Sequence, residues 1–126
     1  DFVQRKRAMG RRYTDGLSGV HGIQLPPPQT ADAQNIYWVY ALVLDDDVDF
    51  DAEHAISCLA QAGVGCRPFF WPMHEQPVLR AMGLFEGERY PAAERAARRG
   101  FYVPSGLALT TAQIDTVVGA VRDLLR

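Results

Sequence analysis

Four side chains of distinct chemistry fall within one short stretch: the guanidinium of Arg67, the indole of Trp71, the thioether of Met73 and the imidazole of His74. They are spelled Arg67-Pro68-Phe69-Phe70-Trp71-Pro72-Met73-His74, with three consecutive aromatics between two prolines. Proline fixes its own φ and pushes the residue before it toward extended geometry, so this stretch is expected to leave a strand as a stiff ribbon with few backbone hydrogen bonds. Aromatics held beside a fixed cation and a titratable imidazole can line a ligand pocket. The same residues can equally form a proline-rich turn packed on the core. Elsewhere the chain names no chemistry. His21, His54 and His74 join no Cys-His metal motif, there is no Gly-x-Ser-x-Gly elbow, and the glycines form no phosphate loop.

The elements that must hold these residues fit in one domain. A chain of 126 residues can bury a core but is short for two ordinary domains. Apolar residues make up 48% and charged residues 22%, which excludes wholesale disorder. The formal charge of −2 hides a split between a basic start (Arg5, Lys6, Arg7, Arg11, Arg12) and an acidic run from Asp45 to Glu53. The basic run has no interleaved aromatics and is read as a solvated helix face, not as a nucleic-acid surface. Cys58 and Cys66 show no disulfide or zinc spacing and are expected as free thiols. No apolar run approaches the roughly 18 residues of a membrane span, so a cytoplasmic protein is expected. The chain opens Asp1-Phe2-Val3 inside a helical pattern and without methionine, so residues 1–17 are expected to be a truncated first helix.

In chain order, helical spacing predicts a helix over 2–17 and a short extended piece from Val20 to Leu25, halted by Pro26-Pro27-Pro28. Ile36 to Leu44 is the strongest strand pattern, apolar at both parities and therefore expected to be buried on both faces. Asp45-Asp46-Asp47 ends it and is read as a solvated strand end, because the run lacks the oxygen-ligand spacing of a calcium loop. Asp49 or Asp51 caps a helix carrying Ala52, Ala55, Ile56 and Leu59, which stops at Gly63. His54, with no paired ligand one turn on, is assigned to the surface. A strand over 64–67 enters the aromatic ribbon, and Val78, Leu79 and Met82 predict a helical turn or two ending at Gly83. Leu84 and Phe85 are expected to pack the exit. A helix begins at Pro91, with alanines inward and Glu94, Arg95, Arg98 and Arg99 outward. Phe101 to Pro104 gives a last strand, and Thr110-x-x-Gln113 is a capping box opening a helix with Ile114, Val117, Val118, Val121, Leu124 and Leu125 on one stripe. The fold class is α/β (α+β): one small mixed sheet with helices packed on it. A strand buried on both faces and a half-covered first helix imply cover from another domain or subunit.

Three runs together go further: Ala62 to Pro77 with its Arg-Pro-Phe-Phe-Trp-Pro-Met-His core, Tyr90 to Glu94, and Gly100-Phe101-Tyr102-Val103-Pro104-Ser105-Gly106-Leu107 with Leu109-Thr110. Along with Arg12-Tyr13, Gly16-Leu17 and Tyr37 to Tyr40, they closely resemble the C-terminal domain of the DegT/DnrJ/EryC1/StrS sugar-nucleotide aminotransferases. The wording of the ribbon looks most like the GDP-perosamine synthases of that family. The resemblance covers essentially the whole chain and implies the small domain of a fold-type I transferase.

The resemblance also implies pyridoxal 5′-phosphate, held as a Schiff base on a lysine of a large N-terminal domain. It implies a homodimer that moves an amino group from glutamate to a 4-keto-6-deoxy sugar nucleotide for O-antigen or related glycans. The only lysine here, Lys6, lies outside any matching motif, so this piece alone is expected neither to bind the cofactor tightly nor to catalyse transamination. The family's aromatic, proline and histidine segment closes over the sugar end of the active site. By resemblance, Trp71, Met73 and His74, with Arg67 behind them, become the substrate-contact candidates, while Phe69 and Phe70 are read as core. Two alternatives stand beside this: a stand-alone binding domain descended from the fold, and a transaminase for a UDP- or TDP-linked sugar.

Overall fold

A computed structural model describes residues 1–126. In chain order it contains α1 (Phe2–Leu17), β1 (Ile23–Gln24), β2 (Tyr40–Leu44), α2 (Ala52–Gln61), β3 (Arg67–Pro68), a 3₁₀ turn (Met73–Glu75), α3 (Pro77–Ala81), α4 (Pro91–Arg99), β4 (Gly100–Val103) and α5 (Thr111–Leu124). The strands form one sheet in the order β1-β2-β4-β3 with every adjacent pair antiparallel. The expected small sheet with helices packed on it is realised, but it is wholly antiparallel and not mixed. β2 and β3 run the same way across the α2 connection, but β4 inserts between them.

Alternation along the strands gives the sheet two unequal faces. Tyr40, Leu42 and Leu44 point to one side with their partners Val103, Phe101 and Ile23, and all six are buried. Met9, Tyr13 and Leu17 of α1, Ala55 and Leu59 of α2, and Ile114, Val117, Val118 and Val121 of α5 complete this core. On the opposite face Ala41, Val43 and Tyr102 are only half buried. Burial on both faces of β2 is thus only partly met.

The helix boundaries follow local chemistry. Asp51 caps α2 by accepting the His54 amide at 2.9 Å, and Thr110 and Gln113 complete the predicted capping box on α5. The strands came out shorter than the pattern implied. β2 starts at Tyr40, not Ile36, because Tyr37 sits at φ 52, a left-handed conformation costly for a bulky residue. Asn35 Oδ1 accepts the Tyr37 amide at 2.7 Å and braces the turn, which buries Tyr37 and leaves Ile36 and Trp38 exposed. The Val20–Leu25 piece likewise pairs only at Ile23 and Gln24.

Two charged surfaces turn out to be structural. The basic face of α1 is not simply solvated: Arg5 donates to the Leu107 carbonyl, Lys6 to those of Trp38 and Ser105, and Arg12 pairs with Asp115. In α4 only Ala97 is buried, while Arg95 and Arg99 reach inward. Arg99 gathers the carbonyls of Asp45, Val48 and Phe50 and so ties down the acidic β2–α2 loop. Leu84 is exposed and does not pack the exit as expected.

The contact between α1 and the Tyr37 turn is tight enough to test. A Cβ built on Gly10 would lie 2.3 Å from the Tyr37 ring and 2.4 Å from its Cγ, so relief requires moving the ring and not merely its tip. Alanine in mid-helix ordinarily stabilises by about 0.5–1 kcal/mol over glycine, whereas overpacking costs about 1–3 kcal/mol. Gly10→Ala is expected to destabilise the fold by about 1–2 kcal/mol, measured by urea unfolding. An increase in stability would show that Tyr37 is free to move.

Candidate functional site

The ribbon leaves the sheet where the Phe69 amide donates to the Gly100 carbonyl at 3.0 Å. From there its side chains part in two directions. Phe70 (54% exposed), Trp71 (49%) and Met73 (64%) face outward, whereas His74 is 5% exposed. Neither phenylalanine joins the core: Phe69 is half buried, and the expectation that both are core residues does not hold. Arg67 is exposed on edge strand β3, in register with Tyr102.

Phe70 instead joins a row of rings on the half-covered sheet face. The Trp38 ring stacks on it at 5.9 Å with an interplanar angle of 5°, and Tyr102 also stacks with it at 6.2 Å and 27°. Trp71 is placed differently. It lines a groove of about 520 Å³ with Ile56, Pro68, Ala97 and Arg98, and with Asp51 and Glu53 at the start of α2.

His74 is held from beneath. Its Nε2 lies 3.1 Å from Glu94 Oε1 and 3.9 Å from Glu75 Oε1. Glu94 also accepts Arg89 Nη2 at 2.8 Å, Arg89 Nε at 3.0 Å and the Tyr90 amide at 3.0 Å. These donors, Arg89 first, push the Glu94 carboxyl down to about 2. An ionised carboxylate only accepts, so the proton between Glu94 and His74 resides on Nε2. Both oxygens of Glu75 accept from Arg98 Nη2, at 2.9 and 3.0 Å, and Arg80 Nε donates to the His74 carbonyl at 3.1 Å. The Tyr90 ring packs 4.9 Å from the imidazole.

His74, Glu75 and Glu94 present ligand atoms within 4.8 Å of one another, the spacing of a metal site. Here, however, both carboxylates already face arginines, so the cluster is an ion-pair network and its charge is balanced without a cation. The sequence placed Glu94, Arg98 and Arg99 on an outward helix face and did not single out Arg89 or Glu75. A usable signal was a glutamate in the first turn after Tyr90-Pro91, placed to reach back to the helix start as in a capping box. A second omission lies on α2, where Cys58 Sγ sits 3.4 Å from His54 Nε2, a partner one turn on that the reading of His54 passed over.

A scan against family models matches residues 1–122 to the DegT/DnrJ/EryC1/StrS aminotransferase family. The chain belongs to that family. Among curated relatives, GDP-perosamine synthase of Vibrio cholerae is 23% identical over 126 residues, covering 97% of this chain and 32% of the relative. A dTDP-4-dehydro-2,3,6-trideoxy-D-glucose 4-aminotransferase of Saccharopolyspora spinosa is 26% identical over 117 residues, covering 93% and 28%. The crystal structure of the aminotransferase TlmJ from Streptoalloteichus hindustanus superposes with a TM-score of 0.78 at 31% identity, over 96% of this chain and 31% of that one. The chain thus spans about a third of the length of the family members it matches.

A relative in Bacillus subtilis, EpsN, is named as a putative pyridoxal phosphate-dependent aminotransferase, and this chain has one lysine that could be set against such a cofactor. Lys6 Nζ donates to the Trp38 carbonyl at 2.8 Å and to the Ser105 carbonyl, and burial lowers its pKa. A lysine fixed on two backbone carbonyls, where it joins α1 to two loops, does not fit a Schiff-base role.

The network sets a pH dependence whose sign is fixed by Glu94. Its folded pKa lies below the ordinary value of 4.5, so the stabilisation it confers is complete above about pH 4.5 and is lost as pH falls toward 2. The melting temperature of the 126-residue chain should fall across that window more steeply than that of Glu94→Gln, followed by circular dichroism. Parallel curves would remove Glu94 as the source.

Proposed function

We propose that this chain is the C-terminal, substrate-side domain of a sugar-nucleotide aminotransferase that moves an amino group from glutamate to a 4-keto-6-deoxy sugar nucleotide. The observation that carries the reading is the family match across residues 1–122, joined to a ribbon that presents Trp71 and Met73 outward. An exposed indole face packs against the C–H face of a sugar ring, and a thioether adapts to irregular apolar shapes. Arg67 supplies an exposed cation on β3, where the ribbon begins, suited to the diphosphate of the nucleotide. His74, with Nε2 on Glu94, serves the same site by seating the ribbon.

On this reading pyridoxal phosphate is bound by a large domain that makes up the rest of the protein, and the 126-residue piece alone is inactive. We place that domain against the Trp38–Phe70–Tyr102 face, where stacked aromatics lie on a sheet surface without a full helical layer. The complete enzyme is then a homodimer. The resemblance to GDP-perosamine synthase supports a GDP-linked substrate, while the Saccharopolyspora relative, named for a dTDP-linked sugar, keeps the choice of base as the alternative.

The test is to assay the full-length protein with pyridoxal phosphate, glutamate and GDP-, UDP- and dTDP-linked 4-keto-6-deoxy sugars. Formation of 2-oxoglutarate and the matching amino sugar is expected, fastest with the GDP-linked ketone. Trp71→Ala is expected to raise KM for the sugar nucleotide about tenfold and to change kcat less than about threefold. No 2-oxoglutarate with any of the three ketones would overturn the reading.

A further inference from the structure

Arg98 makes three contacts with one planar group. Nη2 donates to both oxygens of Glu75 at 2.9 and 3.0 Å, Nη1 donates to the Glu94 carbonyl at 3.2 Å, and the guanidinium carbon lies 5.0 Å from the centre of the Trp71 ring. The first two contacts fix the plane of the fork. A guanidinium fixed in plane presents a steady cationic face to an indole, whereas a lysine ammonium offers a point charge on a rotatable stem. Glu75 is itself firmly placed: it follows buried His74 in the 3₁₀ turn, its amide donates to the Pro72 carbonyl at 3.1 Å, and its side chain is 12% exposed. The chain of support therefore runs from buried His74 through Glu75 and Arg98 to an indole that is half exposed. Gln76 adds a tie from the same segment by donating to the Trp71 carbonyl at 3.3 Å.

We propose that Arg98, held by Glu75, is a positioning residue for Trp71: it fixes the plane of the indole on which the sugar of the nucleotide substrate packs. The proposal rests on the reading of Trp71 as a sugar contact. It adds a residue from α4, outside the ribbon, whose effect on substrate passes wholly through Trp71. Arg98→Lys keeps the charge and loses the fork. Glu75→Gln keeps the side-chain shape and loses the ionised anchor.

The experiment uses the full-length protein labelled with 5-fluorotryptophan, the ¹⁹F line of Trp71 being assigned by its loss in Trp71→Phe. In Arg98→Lys and in Glu75→Gln that line is expected to shift and broaden. KM for the sugar nucleotide should rise about threefold, the effect of a partly exposed cation–π contact, with kcat within about twofold. Combined with Trp71→Ala, Arg98→Lys should add nothing further to KM. An unmoved Trp71 line in both variants, or a KM effect of Arg98→Lys that persists in full on the Trp71→Ala background, overturns the proposal. If Trp71→Ala itself leaves KM unchanged, the sugar-contact reading has failed and the positioning role in binding falls with it. The ¹⁹F line then still decides whether Arg98 sets the indole plane.

Discussion

An ionised carboxylate at position 94 on α4 joins the contiguous pair Arg89 and Tyr90 to the 3₁₀ turn, two pieces of chain that share no sheet or long helix. Its oxygens receive Arg89 from the loop before α4, the amide of Tyr90 at the start of α4, and His74 from the 3₁₀ turn. Between Phe69 and Tyr90 the backbone forms only that turn and the five-residue α3, so the ladders that fix position elsewhere are scarce here. Charge-assisted hydrogen bonds take over the task. They are shorter and stronger than neutral ones, and a bidentate arginine adds direction. The outward pose of Trp71 and Met73 is thus a consequence of what is buried beneath them: a ribbon with an ionic underside can hold apolar residues toward solvent without collapsing onto the core.

The same device recurs wherever irregular backbone meets the body of the domain. Arg99 collects three carbonyls from the β2–α2 loop, Arg95 reaches the Leu44 carbonyl, and Lys6 bridges the carbonyls of Trp38 and Ser105. Arg122 takes the free Gly16 carbonyl at the end of α1. Carbonyls that no ladder satisfies are costly to bury, and long cationic side chains reach them while their stems cover apolar surface. This explains why a chain with 13 basic residues and net charge −2 spends so many cations on its own backbone. It also removes the physical basis for reading the α1 cluster as a surface for a polyanion.

Those cations mark the boundary of what the residues disclosed in advance. The long helices were legible because their signals are local: apolar spacing, Asp51 and Thr110 as caps, Pro91 at a first turn. The ribbon was legible too, as a stiff aromatic segment between prolines. Strand length was not, since Ile36 to Val39 carry every local mark of a strand, and only the tight seat of Tyr37 on Gly10 diverts them. Nor was the inward turn of His74 and Glu94 legible, because pairing between residues 20 apart leaves no periodic trace. His54 with Cys58 was within reach of a simple i, i+4 inspection and was missed. The resemblance supplied the family and named candidates for the site, yet it could not say which side of the ribbon faces out.

That distinction matters for the two exposed indoles. Trp38 lies in a row of rings on a sheet face, stacked flat on Phe70 and continued by Tyr102; it presents a broad apolar surface whose burial is favoured by area alone. Trp71 has a cation beside its ring and carboxylates at the edge of its groove, an arrangement in which an indole takes up one defined plane. A flat apolar surface suits a protein partner that excludes water over many residues, whereas a single oriented ring flanked by charges suits a small polar ligand with one apolar face. The surroundings of the two residues, not their residue type, are therefore what our proposal uses to give Trp38 to docking and Trp71 to recognition.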